Sequence, residues 1–389
     1  MAIFSEQEYL RYSRHIQLPN FGAAGQTELK KSRVVIVGCG GLGAPVSLYL
    51  AAAGVGHITL IDGDRVALSN LQRQIIFTEE DIGQPKVRCA KTRLHALNSS
   101  ILIDAIDEPL CSNNAIDIVT SADLVLDCTD NFEARYLIND TCRSTGTPWV
   151  YASVYQYSGQ CAVFTPATSC FRCLYPHRPE NTLDCNAAGV LGVIPGLLGT
   201  IQANEAIKLL RKQPTELAGR LRMIEAEDLS THTIELQTNA HCPACASDFV
   251  FDPEQFSGIT KTNTATTPQP RSDDTQSGLS VAIGNTIVGA DFYQYAARDD
   301  VLVIDVRSAA ERAAFDLGGR HIPLDTLAST GSLPMEKTLL VYCQSGDRSA
   351  TACAALNKRG FSATSLHGGI VSVLRQSQEE NEGNDTPLR

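Results

Sequence analysis

The chain has 389 residues, 43% of them apolar and 19% charged, which suits two or three globular domains that each bury a full core. A net charge of -11 argues against nonspecific nucleic-acid binding, which needs dense Lys and Arg. No apolar stretch is long enough to cross a membrane, and Glu6, Glu8, Arg11, Arg14 and His15 interrupt the N-terminus too often for a signal peptide, so the expected location is cytoplasmic.

In chain order, Arg33 to Val37 is a β-branched run that ends in Gly38-Cys39-Gly40-Gly41-Leu42-Gly43. An Ala/Leu-rich helical stretch follows to about Ala53, and His57 to Ile61 reads as a second strand. This is a βαβ unit with parallel strands and a right-handed crossover. Lys86 to Leu97 reads as a helix, and Ile101 to Ile106 and Asp123 to Cys128 read as strands. The alternation predicts an α/β fold built on a Rossmann-like, doubly wound sheet. Residues 257–284 are almost free of large apolar side chains and read as a flexible linker. Beyond it, Val301 to Val306 and Leu339 to Cys343 read as strands, and Ala309 to Phe315 and Arg348 to Arg359 as helices. These make a small second α/β domain over 285–377. Residues 378–389 form an acidic tail, and the first domain spans 1–256.

Gly38, Gly40 and Gly43 fit G-x-G-x-x-G between a strand and a helix, where glycine lets phosphate approach backbone N–H groups at the helix N-terminus. Asp62 closes the next strand, in reach of ribose hydroxyls. Taken alone these residues describe a dinucleotide-dependent oxidoreductase. Arg73, Lys86 and Asp130 shift the reading. Two cations and a carboxylate for magnesium suit attack of a carboxylate on the α-phosphate of ATP, where two anions must approach; hydride transfer needs no such set.

Over residues 1–250 the chain resembles the MoeB/ThiF-like adenylyltransferases, which are akin to ubiquitin-activating enzymes. The matching pieces are Arg11-Tyr12-Ser13-Arg14, Gly38 to Gly43, Asp62, Ser69-Asn70-Leu71-Gln72-Arg73, Lys86 and Asp130-Asn131. The resemblance implies that Gly41, Asp62, Asn70, Arg73, Lys86 and Asp130 surround MgATP, with Ser69, Leu71, Gln72 and Asn131 beside them. It also implies a homodimer in which Arg14 reaches the partner's nucleotide. His15 stands where the family usually has Gln.

Thirteen cysteines and no signal peptide point away from a disulfide framework and toward metal binding and thiol chemistry. Cys39, Cys89, Cys111, Cys128, Cys142, Cys161 and Cys353 read as core or near-core residues. Cys170-Phe171-Arg172-Cys173 and Cys242-Pro243-Ala244-Cys245 are two C-x-x-C pairs, which together complete a tetrahedral zinc shell. A redox role is the alternative for either pair. The resemblance supports structural zinc at Cys170, Cys173, Cys242 and Cys245. Cys185, in Asp184-Cys185-Asn186-Ala187-Ala188-Gly189 ahead of a helix over about Gly199 to Leu210, stands where similar proteins can receive the activated carrier as a thioester or acyl disulfide; the alternative is a loop cysteine without a role.

Cys343 ends a strand and begins Cys343-Gln344-Ser345-Gly346-Asp347-Arg348, a loop that can wrap backbone N–H groups around sulfur, with a helix dipole and Arg348 adding positive potential. A cysteine followed by an arginine five residues on also suits a phosphatase loop. The domain resembles a rhodanese, through Asp305-Val306-Arg307 and Leu366-His367-Gly368-Gly369. It departs from that family at Val373, where an aromatic is usual, and in the short segment Gly318 to Pro323. The whole chain is therefore similar to the MoeZ-type adenylyltransferase/sulfurtransferase group. That likeness implies a ubiquitin-like sulfur-carrier partner ending in Gly-Gly, a persulfide donor such as a cysteine desulfurase or thiosulfate, and ATP, Mg2+ and Zn2+ as cofactors. An activator for protein conjugation and a non-catalytic scaffold are the competing readings.

Overall fold

The computed structural model describes residues 4–177, 189–246, 248–256, 286–327 and 333–374. The expected linker and the acidic tail lie outside the described residues. The chain divides into two compact units, Met1–Thr267 and Pro268–Arg389.

The first unit opens with α1 (Glu6–Ile16), which the sequence reading did not anticipate. A capping box starts it: Ser5 N–H donates to Glu8, and Glu8 N–H donates to Ser5 Oγ. After α2 (Gly22–Lys31) come β1 (Arg33–Val37), α3 (Gly43–Ala53), β2 (His57–Ile61), α4 (Lys86–Leu97), β3 (Leu102–Ile106), α5 (Ala115–Thr120) and β4 (Leu124–Asp127). Then α6 (Phe132–Thr145) leads to β5 (Trp149–Tyr155), β6 (Ser158–Phe164), the helical turn α7 (Phe171–Leu174), α8 (Val193–Leu210), β7 (Arg220–Glu225) and β8 (Thr231–Glu235).

These strands form one sheet in the order β3-β2-β1-β4-β5-β6-β7-β8. The first five are parallel, as the βαβ pattern predicts; β6, β7 and β8 continue the sheet antiparallel. Successive side chains of a strand point to opposite faces. Val34 and Ile36 therefore join Leu50, Leu94 and Leu198 in one core, while Val35 and Val37 join Val119, Leu137 and Trp149 in the other. Helices thus cover both faces of the parallel region. The chain moves outward from β1 to β2 and β3, then returns to place β4 on the other side of β1. That reversal leaves a crevice at the carboxyl ends of β1, β2 and β4, where open α/β sheets bind ligands.

The second unit is a five-stranded parallel sheet. Its elements are β9 (Thr286–Ile287), α9 (Phe292–Ala296), β10 (Val301–Asp305), α10 (Ala309–Ala314), β11 (Arg320–His321), β12 (Thr338–Tyr342), α11 (Asp347–Lys358) and β13 (Ser362–Leu366). The strand order is β11-β10-β12-β13-β9. Both departures noted from the sequence are accommodated. Val373 is buried with Phe292, Val301, Tyr342 and Ile370. The short segment forms β11, whose His321 ring bonds the Arg307 carbonyl at 2.8 Å.

Candidate active sites

The Gly-rich turn is tight enough to demand glycine at its first and last positions. Gly38 has φ +96°, and a Cβ there would stand 2.6 Å from the Cys128 carbonyl oxygen. A Cβ on Gly43 would meet the Gly38 carbonyl oxygen. Asp62 ties this turn to β2: one carboxylate oxygen accepts the Cys39 N–H at 2.7 Å, the other the Asp64 N–H at 2.8 Å. Burial raises the Asp62 pKa, against the opposing pull of Lys86.

Lys86 begins α4 and is only 6% exposed. A lone buried ammonium would lose its proton. Here Nζ bonds Asp64 at 2.8 Å, and the charges of Asp62, Asp64 and Asp130 outweigh burial and raise the amine above its ordinary pKa. Lys86 is therefore a fixed cation at the crevice. Arg73 reaches back to the Ser69 carbonyl at 3.1 Å, and its Cγ lies 3.4 Å from where a Gly41 Cβ would stand. The structure thus brings together Gly41 with Arg73, and Asp62 with Lys86 and Asp130.

Other expected nucleotide residues have visible backbone tasks. Asn70 accepts the Ala67 N–H and closes the turn Leu68–Asn70. Asn131 caps α6 by accepting the Ala134 N–H at 2.9 Å. Ser69 and Gln72 are exposed, and Leu71 packs on the core. Arg14 is exposed on α1, which packs on α2.

The four C-x-x-C thiols converge. Cys170 stands at the N-cap of α7 and Cys173 within it, while Cys242 precedes and Cys245 ends the 3-10 turn Pro243–Cys245. Sulfur separations are 3.5 Å for Cys170–Cys242, 3.5 Å for Cys173–Cys245 and 3.9 Å for Cys170–Cys173. All four sulfurs lie within 4.8 Å of one another. A tetrahedral ion with Zn–S bonds of about 2.3 Å needs sulfurs about 3.8 Å apart, so the residues fit zinc. The surroundings hold the geometry: Asn239 N–H donates to Cys173 Sγ at 3.4 Å, and Arg143 on α6 bonds the Ala244 and Pro166 carbonyls at 3.0 Å each. Arg172, between the first pair, forks onto buried Asp140 at 2.7 and 2.6 Å. Cys185 lies outside the described residues.

Cys343 follows β12, and its residue is fully buried. The Gly346 N–H donates to Sγ at 3.1 Å and the Ser349 N–H at 3.4 Å. Gly346 turns the loop at φ +103°, which aims these donors inward. The Ile370 N–H bonds the Cys343 carbonyl at 2.9 Å, so the Gly368-Gly369 segment braces the loop. Arg348 is held from outside the loop. Its guanidinium binds Glu311 on α10, with one N–H donor at 2.9 Å. That ion pair raises the Arg348 pKa against burial, with Cys343 adding to the effect. The backbone N–H groups of Gly346 and Ser349 donate to the sulfur, and Arg348, seated on Glu311, adds its charge and a side-chain interaction with Cys343.

Residues 12–244 match the ThiF family and residues 289–376 match the rhodanese-like domain. The chain belongs to the ThiF family. It is 36% identical over 392 residues to the probable adenylyltransferase/sulfurtransferase MoeZ of Mycobacterium tuberculosis, covering 97% of this chain and 96% of that protein. It is 44% identical over 243 residues to the sulfur carrier protein ThiS adenylyltransferase of Escherichia coli, covering 62% of this chain and 96% of that one. Among solved structures, the crystal structure of E. coli MccB with ATP matches at TM-score 0.53 and 29% identity, over 60% of this chain and 74% of that chain.

Three groups of this ThiF-family crevice escaped the sequence reading. Asp64, the direct partner of Lys86, carries no signal in the spacing that sets it apart from a surface carboxylate. Asp127 at the end of β4 is fully buried beside Arg135, itself 4% exposed, and burial pushes the Asp127 carboxyl up to about 6 with Arg135 opposing. Gln202 of α8 is wholly buried and donates to the Asp127 and Val150 carbonyls at 2.7 and 3.1 Å. Nothing in local spacing marks such residues as buried; only a polar residue inside an otherwise apolar run gives a signal. Among the described residues no helix is long and apolar enough to cross a membrane.

Proposed function

We propose that this chain uses ATP to adenylylate the C-terminal glycine of a ubiquitin-like sulfur-carrier protein and then supplies sulfur from a persulfide on Cys343. The observation that carries the first step is Lys86, a nearly buried ammonium kept charged by three carboxylates in the crevice. The carrier carboxylate attacks the α-phosphorus, the bond to the β-phosphate oxygen breaks, and pyrophosphate leaves. Lys86 and Arg73 offset charge that builds on phosphate oxygens. Asp130, exposed beside Lys86, is the carboxylate to hold Mg2+, which when bound neutralises phosphate charge. Asp62 orients the ribose and the glycine turn, while Ser69, Asn70, Leu71, Gln72 and Asn131 shape the wall. In a homodimer, Arg14 of a second copy completes the site. We place this chemistry in the cytoplasm.

The cradle at Cys343 supports the second step. Its N–H donors stabilise a sulfur anion, so a persulfide taken from a cysteine desulfurase or thiosulfate can be held there. The terminal sulfur attacks the acyl adenylate, AMP leaves, and an acyl disulfide joins carrier to Cys343. A second thiol then attacks Cys343 sulfur. The carrier departs as thiocarboxylate, and the enzyme keeps the new disulfide for later reduction. Cys185 is the candidate for that thiol or for an earlier thioester. The rhodanese-like domain favours sulfur transfer over a conjugation activator, which would hand the carrier to a lysine and does not require such a domain.

The test is ATP–pyrophosphate exchange with a carrier ending in free Gly-Gly, followed by intact mass of that carrier after a persulfide donor is added. Lys86→Ala and Asp130→Ala should each lower exchange by about 100-fold or more. Normal exchange in both variants would sink the site assignment, and exchange that ignores the carrier would sink the substrate.

A further inference from the structure

The segment Asp127–Asp130 is held more firmly than a strand end requires. Its first carbonyl accepts from Gln202 Nε2 at 2.7 Å. Asp127 Oδ1 accepts both the N–H of Thr129, at 2.9 Å, and its hydroxyl, at 2.7 Å. Arg135 Nη2 donates to the Thr129 carbonyl at 2.9 Å, and its Nε lies 3.6 Å from Asp127 Oδ2. The guanidinium itself stacks over the Phe132 and Tyr151 rings, each 5.5 Å away. Side chains from β4, α6 and α8 therefore fix successive backbone groups of a four-residue stretch.

That stretch meets the nucleotide crevice at two points. The Cys128 carbonyl fills the space that a Cβ on Gly38 would need, so the stretch abuts the first glycine of the turn. Asp130, which ends the stretch, is exposed and lies in the field of Lys86. Stability gives little reason for the arrangement. Replacing a buried ion pair by apolar groups of similar size is often neutral or stabilising. A pair retained at this place is better explained by what it holds still.

We propose that Asp127 and Arg135 are positioning residues for adenylation: they lock the backbone of Thr129 so that the Asp130 carboxylate is presented, already oriented, to the divalent cation of the nucleotide. This rests on the adenylation reading above. Neither residue touches the reacting atoms. Both act through Thr129, as outer partners of a metal-binding carboxylate do, and losing such partners typically costs about 10- to 100-fold in metal affinity.

The experiment uses the full chain, Mn2+ as the cation probe and an α,β-methylene analogue of ATP that cannot be cleaved. Free Mn2+ is read by electron paramagnetic resonance, and nucleotide binding is measured with and without metal. The variants are Thr129→Val, Arg135→Lys and the double substitution Asp127→Asn with Arg135→Met, which removes both charges and leaves no buried ion unpaired. In the double variant Mn2+ affinity should fall about 10- to 100-fold while metal-free nucleotide affinity and melting temperature stay near wild type. Exchange should lose kcat with little change in KM for ATP. Thr129→Val, the mildest change, should move in the same direction by a few-fold, and it and Arg135→Lys decide the matter if the double variant does not fold. Wild-type Mn2+ affinity in every folded variant overturns the proposal. A proportional fall of metal affinity, nucleotide affinity and stability together also overturns it, since that is a purely structural role. A wild-type chain that binds no nucleotide fails earlier, and refutes the adenylation reading itself.

Discussion

The two chemical centres of this chain are built in opposite ways. The sulfur cradle is local: Cys343, Gly346 and Ser349 lie within seven residues, and the donors are backbone N–H groups that any sequence with the right turn would supply. The nucleotide crevice is assembled from afar. Gly38, Asp62, Lys86 and Asp130 come from the ends of different strands and helices, and each depends on another for its place or charge. A local centre fails one atom at a time. A dispersed one fails when the frame that gathers it is loosened. Substitutions that separate these two modes of failure test the difference.

The largest effect is expected at the four-cysteine cluster, which staples positions 72 residues apart in the first unit. Structural zinc can contribute on the order of 10 kcal/mol of apparent folding free energy. Cys242→Ser should lose much of that, so zinc content and the melting temperature of the first unit should fall together. Hydrogen exchange in peptides from 338–374 should stay as in wild type. Freshly purified, unchelated protein that contains no zinc would refute the assignment. Unchanged melting after zinc loss would show that the frame does not need its staple.

Cys343→Ser is the complementary cut. Serine keeps the shape and can still accept the Gly346 and Ser349 N–H groups, yet it cannot carry a persulfide. Thiocarboxylate formation from a persulfide donor should drop by about a thousand-fold or more, while carrier-dependent exchange continues, since none of its groups lie in the second unit. Free sulfide must be excluded because it could attack the adenylate unaided. Cys185→Ser should cause only partial loss, for a Cys343 persulfide can bypass a thioester. Wild-type thiocarboxylate yield from Cys343→Ser would remove the second unit from the sulfur relay.

The same contrast explains what could be read from the sequence. The β1–glycine turn–α3–β2 unit was legible almost to the residue, because β-branched runs, glycine spacing and an Ala/Leu-rich helix signal it locally. The Cys343 loop was legible for the same reason. The antiparallel extension by β6, β7 and β8 was not, since strand direction depends on pairing partners distant in sequence. Helix α8 begins at Val193, six residues before the expected Gly199. Pro195 and Gly196 disguise its start, although proline is tolerated in a helix's first turn. In the crevice, residue types pointed to Lys86 and Asp130, but the buried Asp127–Arg135 pair could not be foreseen. A charged residue next to a strand reads as surface until the fold closes over it. The offset of Arg348 from Cys343 marks it as a partner of sulfur, while its pairing with Glu311 depends on how α10 packs, which local spacing does not encode.

The smallest expected effect sharpens the local side of the comparison. Glu311 is held down to about 2, chiefly by its bond to Arg348, with burial opposing and Ser308 assisting. Its carboxylate is ionised in the folded state long after an unfolded glutamate would have taken a proton. The stabilisation is therefore present above the unfolded pKa of about 4.3, and is lost as pH falls from there toward the folded value. The side chain is one-third exposed, so screening keeps the pair at no more than about 1 kcal/mol. Glu311→Gln should thus speed hydrogen exchange in α11 by a few-fold at pH 7. The difference from wild type, corrected for intrinsic exchange, should shrink between about pH 4 and pH 2. First-unit peptides should show no change. A difference at pH 7 that persists undiminished at low pH would mean that Glu311 acts by packing alone. No difference at pH 7 would mean that the cradle holds Arg348 without it, and that its stability lies wholly in the backbone around Cys343.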